Sequence, residues 1–133
     1  MKEDQKVKCE EELQGSTIEM QRVYSPDQWV LVKLSGSEVP KPIYKVFAGW
    51  TGGFAQGDEW RLSSAIQKIT KKSYGWKIEN ASGSIYRCHE NSTGYTVYMK
   101  SVYAGWQFRK PEEFLLQEIA IDALMQEKPE LFG

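Results

Sequence analysis

At 133 residues the chain has the length of one domain, enough to bury a core without disulfides or metals. Its 17 Lys and Arg nearly balance 18 Asp and Glu, and a formal net charge of −1 argues against bulk electrostatic binding of nucleic acid. No apolar run reaches the ~20 residues of a membrane span, and the charged opening Met1–Gln14 lacks a signal-peptide core.

These features point to the cytoplasm, so the two cysteines, Cys9 and Cys88, are expected to be reduced thiols. Five Trp and seven Tyr exceed what a small core easily hides, and some of these rings are expected at a binding surface.

Residues 1–16 read as a charged arm, and residues 17–133 as a single β-rich domain. From Thr17 short apolar stretches alternate with turn residues, the texture of strands. Trp29–Leu34 is the clearest strand, with Val30, Val32 and Leu34 on one face and Trp29, Leu31 and Lys33 on the other. The Gly and Pro residues of Ser35–Pro42 make a loop, and Ile43–Ala48 forms the next strand.

Residues 60–70 fit two patterns. Leu62, Ala65, Ile66 and Ile69 have helical spacing, whereas Ile66–Thr70, a Lys-Lys-Ser turn and Tyr74–Glu79 read as a hairpin, which is preferred. Ser84–His89 and Tyr95–Tyr103 are expected as further strands. Val46–Trp50 echoes Val102–Trp106, either as a duplication or, preferably, as two strand ends.

The segment Lys110-Pro111-Glu112-Glu113 has the form of a helix start, which predicts a C-terminal helix over about 111–127. Its apolar arc, from Phe114 round to Met125, is wider than one sheet face needs: either the sheet curls around the helix, which is preferred, or part of the arc makes a homo-oligomer contact. The fold class is therefore α+β: an antiparallel, curved sheet or small barrel-like β domain packed on one C-terminal helix.

No catalytic constellation emerges. Cys88 and His89 are adjacent on a strand, so they point to opposite faces and cannot form a nucleophilic pair. They likewise lack partners at zinc spacing, so neither a metal nor a cofactor is expected. The basic cluster Lys68, Lys71, Lys72 and Lys77 reads as a solvated turn more readily than as a phosphate patch.

The unusual chemistry lies in Gly49–Arg61. Its glycines permit close backbone approach, Trp50, Phe54 and Trp60 offer stacking faces, and Arg61 is a planar cation suited to phosphate or carboxylate. Asp58 and Glu59 add adjacent carboxylates, and Ser63, Ser64 and Ser82-Gly83-Ser84 add hydroxyls. With Tyr86, Arg87 and His89, these residues outline a site for a nucleotide-like ligand or a protein partner. The alternative is a long β-loop whose aromatics plug the end of the sheet.

The order Gly49-Trp50, Gly52-Gly53, Gly57-Asp58, Trp60-Arg61 and Ser63-Ser64, followed by Ser82-Gly83-Ser84, Tyr86, and Cys88-His89, resembles small bacteriophage and prophage proteins of unknown function. The resemblance spans roughly residues 28–106. It implies a phage accessory protein in the host cytoplasm that acts by binding: inhibiting a host protein, or sequestering a nucleotide-like ligand against host defence. The competing expectations are a small nucleotide-acting enzyme using Asp58, Glu59 and His89, and a virion assembly component.

Overall fold

The computed structural model describes residues 22–52, 58–109 and 112–133. The arm expected over 1–16 and the Lys110-Pro111 helix opening lie outside the described residues. In chain order these residues form β1 (Val23–Tyr24), β2 (Gln28–Ser35), β3 (Ile43–Trp50), β4 (Glu59–Leu62), β5 (Ile66–Lys72), β6 (Gly75–Asn80) and β7 (Ile85–His89). Then come α1 (Val97–Arg109), β8 (Leu115–Ile119) and α2 (Ile121–Glu127), with short 3-10 turns at Glu90–Ser92 and Pro129–Leu131.

The architecture starts from β2. Trp29 and Leu31 point to one side and Val30 and Val32 to the other, and none is more than 2% exposed. A strand apolar on both faces must be covered on both. β2 pairs antiparallel with β3, and the flanking strands complete a central sheet in the order β4-β3-β2-β8.

One face of this sheet meets a second sheet, β1-β7-β6-β5, through a core of Trp29, Leu31, Tyr44, Val46, Ile69, Ile78, Tyr86, Cys88 and Leu124. The other face carries α1, through Val30, Val32, Phe47 and Met99 with Trp60, Val102, Tyr103 and Trp106 around them. The result is three layers, sheet on sheet on helix, with both sheets open rather than closed into a barrel. Among the described residues the named strands pair antiparallel except β1 with β7, and two isolated bridges, Trp29 with Thr93 and Ile69 with Phe132, are also parallel.

The expected strands at 29–34, 43–48 and 84–89 form, as does the hairpin, which joins β5 to β6. Two expectations need correction. Tyr95–Tyr103 is not a strand: most of it belongs to α1, which Thr96 caps by accepting the Met99 N–H at 3.1 Å. Its Val and Tyr content looks like strand locally, but Met99, Val102, Tyr103 and Trp106 fall on one helical face that the central sheet buries. Gly49 allows this docking, since a Cβ there would lie 2.4 Å from Met99 Sδ. The echo at Val102–Trp106 is therefore helical, and not a second copy of the β3 strand end.

The C-terminal helix is also shorter than the one expected over 111–127. Leu115–Ile119 pairs with β2 as β8, and among the described residues of that span only Ile121–Glu127 is helical. The free edge of β2 captures this segment and sends Leu116 and Ile119 into opposite cores, so the wide helical arc does not form. α1 then covers the new edge: Tyr103 OH accepts the Glu118 N–H at 3.1 Å, and Gln107 Nε2 donates to Leu116 O at 2.6 Å.

Gly75 opens β6 at φ +148°, where a Cβ would stand 2.3 Å from the Cys88 carbonyl oxygen of β7. We expect Gly75→Ala to cost about 2 kcal/mol or more, read as a lower urea midpoint at unchanged slope. An unaltered midpoint would contradict this close approach.

Candidate functional site

The chain leaves β4 of the central sheet and enters β5 of the second sheet through Ser63–Ala65. Ser63 fixes the crossing: its N–H donates to Val46 O at 2.9 Å, and its Oγ accepts the Val46 N–H at 2.8 Å. The same hydroxyl donates to Ser64 O at 2.7 Å, so Ser63, buried and fully engaged, is a structural residue. Ser64 is thereby presented outward, where it meets the turn between β6 and β7.

A row of hydroxyls results. Ser64 Oγ and Ser82 Oγ are 3.1 Å apart, and Ser82 Oγ and Ser84 Oγ 3.2 Å. Ser64 Oγ also accepts the Ser82 N–H at 3.0 Å. Asn80, only 3% exposed, holds the turn from below by donating Nδ2 to Ser84 O and Oγ at 3.1 and 3.2 Å. Its Oδ1 is buried without a hydrogen-bond partner among the described residues.

This row forms one wall of a cleft of about 450 Å³, whose lining also includes Arg22, Tyr24, Arg61 and Tyr86. That volume lies in the range of small-molecule sites. Two arginines, Arg22 and Arg61, thus line the same cleft as the row of hydroxyls. The Arg61 guanidinium carbon sits 4.9 Å from the Tyr24 ring centre, and Tyr24 is itself 5.0 Å from Tyr86 and 6.1 Å from Trp50.

Glu59 Oε2 lies 3.4 Å from Arg61 Nε. An exposed pair of this kind is worth about 1 kcal/mol at most, and the stacking on Tyr24 about as much. Together they orient the guanidinium, whose terminal amino groups make no hydrogen bond among the described residues.

Burial pushes the Tyr86 phenol up to about 12, with Tyr24 adding to the shift and Arg61 opposing it. Tyr86 therefore stays neutral at physiological pH and can donate a hydrogen bond to an anion. Burial likewise raises the Cys88 thiol well above its ordinary range, so it is held protonated in the core. Among the described residues no group of three or more His, Cys, Asp or Glu converges as a metal site, and no helix is long and apolar enough to cross a membrane.

The residues anticipated from sequence divide four ways. Arg61, Ser82 and Tyr86 meet in the cleft, and Trp50 supports it by packing on Tyr24 and donating Nε1–H to Ser25 O at 3.1 Å. Trp60 instead packs under α1, 5.9 Å from Phe47 and 5.7 Å from Trp106, and Asp58 accepts the Gly52 N–H at 3.2 Å within its own loop. Arg87 and His89 lie on the exposed face of the second sheet, away from Tyr86. Phe54 lies outside the described residues.

Sequence reading missed Arg22, Tyr24 and Asn80. Nothing local marks the first two, because β1 reaches the site only by pairing in parallel with β7, about sixty residues away. Asn80 carried a signal of a kind: an Asn just before a Ser-Gly-Ser turn, where its amide can bind the turn backbone. Comparison with protein-family models, curated proteins and solved structures finds no match to this chain.

A raised tyrosine pKa means that the unfolded chain releases the proton first. Its stabilising contribution is complete below pH about 10 and declines as the pH rises from there towards the folded value. Tyr86→Phe should therefore flatten the fall in urea midpoint across that alkaline range. Parallel falls in wild type and variant would show that Tyr86 does not hold its proton as described.

Proposed function

We propose that the chain acts by binding, and that the Arg22–Arg61 cleft takes a small phosphate-bearing ligand with a planar group, a nucleotide-like molecule. The observation that carries this reading is that two arginines, the Ser64–Ser82–Ser84 hydroxyls and a neutral Tyr86 line one cleft. Guanidinium forks match phosphate oxygens in pairs, and hydroxyls donate to the oxygens that remain. The free face of Arg61, already stacked on Tyr24, suits a planar ring on its other side.

Binding without turnover is favoured by the lining itself. Among the described residues that line the cleft there is no carboxylate, imidazole or thiol to transfer a proton or attack a phosphorus or carbon centre. Asp58, Glu59 and His89, the acid–base candidates of an enzyme reading, do not line it. The resemblance to small phage and prophage proteins supports setting this binding in a host cell, where sequestering a signal nucleotide would serve an accessory protein.

The test is a thermal-shift panel of nucleoside mono-, di- and triphosphates and cyclic dinucleotides. A true ligand at about a hundredfold above its Kd adds about 2.7 kcal/mol to the native state, and the melting temperature rises accordingly. Arg61→Ala combined with Arg22→Ala should abolish the rise. Absence of any shift at saturating concentrations, or a shift that the double variant retains, would sink the proposal.

A further inference from the structure

The exposed face of the second sheet carries a second cleft, of about 420 Å³, independent of the first. It is lined by Lys72, Tyr74, Lys77 and Arg87 around Val23 and Ile85. β1 separates the two sites, since successive residues of a strand point to opposite faces: Val23 lines this cleft and Tyr24 the other.

Its charge pattern runs against the rules of sheet pairing. Lys77 of β6 stands directly opposite Arg87 of β7, and like charges in that position repel. Lys72 of β5 lines the same cleft. The nearest relief is Glu79, 3.9 Å from Lys77; among the described residues Lys72 and Arg87 make no ion pair. The three cations lie on three adjacent strands and so span roughly 10 Å across the sheet. At the turn between β5 and β6, Tyr74 closes one side of the cleft, its ring 5.1 Å from that of His89.

We infer that this face binds single-stranded nucleic acid, with the phosphates on Lys72, Lys77 and Arg87 and a base against Tyr74. A polyanion relieves the Lys77–Arg87 repulsion, which no single surface carboxylate does for all three cations. A single strand presents free base faces to an aromatic ring, whereas a duplex hides them and is read by elements that project into a groove. The near-neutral charge of the whole chain does not oppose this, because the patch is local: its cations, separated in sequence, are gathered by the β5–β6–β7 register.

Fluorescence anisotropy with labelled oligo-dT and oligo-U of about 15 nucleotides tests the inference. Three phosphate contacts predict an affinity that falls roughly twentyfold between about 50 and 200 mM salt. Lys77→Glu with Arg87→Glu should remove binding. Lys41→Glu with Lys100→Glu, equal in charge but at exposed positions elsewhere, should leave most of it. Tyr74→Ala should weaken binding roughly tenfold, the loss of one stacked base.

Should the first double variant fail to fold by circular dichroism, Lys72→Glu alone, at an exposed position, carries the same test. Three outcomes would overturn the inference: no binding at low salt, equal losses in both double variants, or tighter binding of a poly-Glu peptide than of either oligonucleotide. Because neither site shares a lining residue with the other, failure here leaves the Arg22–Arg61 reading standing, and the converse also holds.

Discussion

Everything in this fold follows from a strand that cannot tolerate water on either side. β2 places Trp29 and Leu31 against the second sheet and Val30 and Val32 against α1, all essentially buried. Burying such side chains contributes roughly 1.5–3 kcal/mol each, which outweighs the local preferences of the segments recruited to cover them. Trp29 also commits its polar atom, donating Nε1–H to His89 O at 2.8 Å, and so ties the central sheet to the end of β7. Leaving that donor unpaired in the core would cost about 1–3 kcal/mol, so the contact fixes how the two sheets meet.

The cleft is a by-product of the same arrangement. Two sheets sharing a core must be joined by a chain crossing between them, and here the crossing is Ser63–Ala65. Ser63 satisfies both backbone groups of Val46, so the chain can leave β4 without stranding them. What remains on the outside of the corner is polar and half-open: Ser64, the Ser82–Ser84 turn, and Arg61 at the edge of the central sheet. Sites at such junctions are set by two rigid elements rather than by one loop.

How much of this was legible in the sequence depends on whether the signal was local. The alternation of β2, the β5–β6 hairpin and the strand Ile85–His89 could all be read from neighbouring residues, and Arg61, Ser82 and Tyr86, singled out together by residue type, line one cleft. The segments that misled are those that tertiary contacts reassign. Leu115–Ile119 has helical credentials, a Pro-Glu-Glu start and an apolar arc, yet an unpaired edge of β2 outcompetes them. Tyr95–Tyr103 has strand composition, yet one cap at Thr96 and one apolar face turn it into a helix. Arg22 and Tyr24 stayed invisible because their pairing with β7 is parallel and distant. The row formed by Lys77 and Arg87 stayed invisible until the register of β6 against β7 was known.

Trp60 of β4 and Trp106 of α1 lie 5.7 Å apart at 81°, with Phe47 between the layers beside both. Two indoles this close couple their electronic transitions, so their joint optical activity depends on the helix being seated on the sheet. Trp29 and Trp76, by contrast, belong to the core between the sheets. The chromophores thus divide between the two interfaces, and the peeling away of the helix layer can be told spectroscopically from the separation of the sheets, with no label attached.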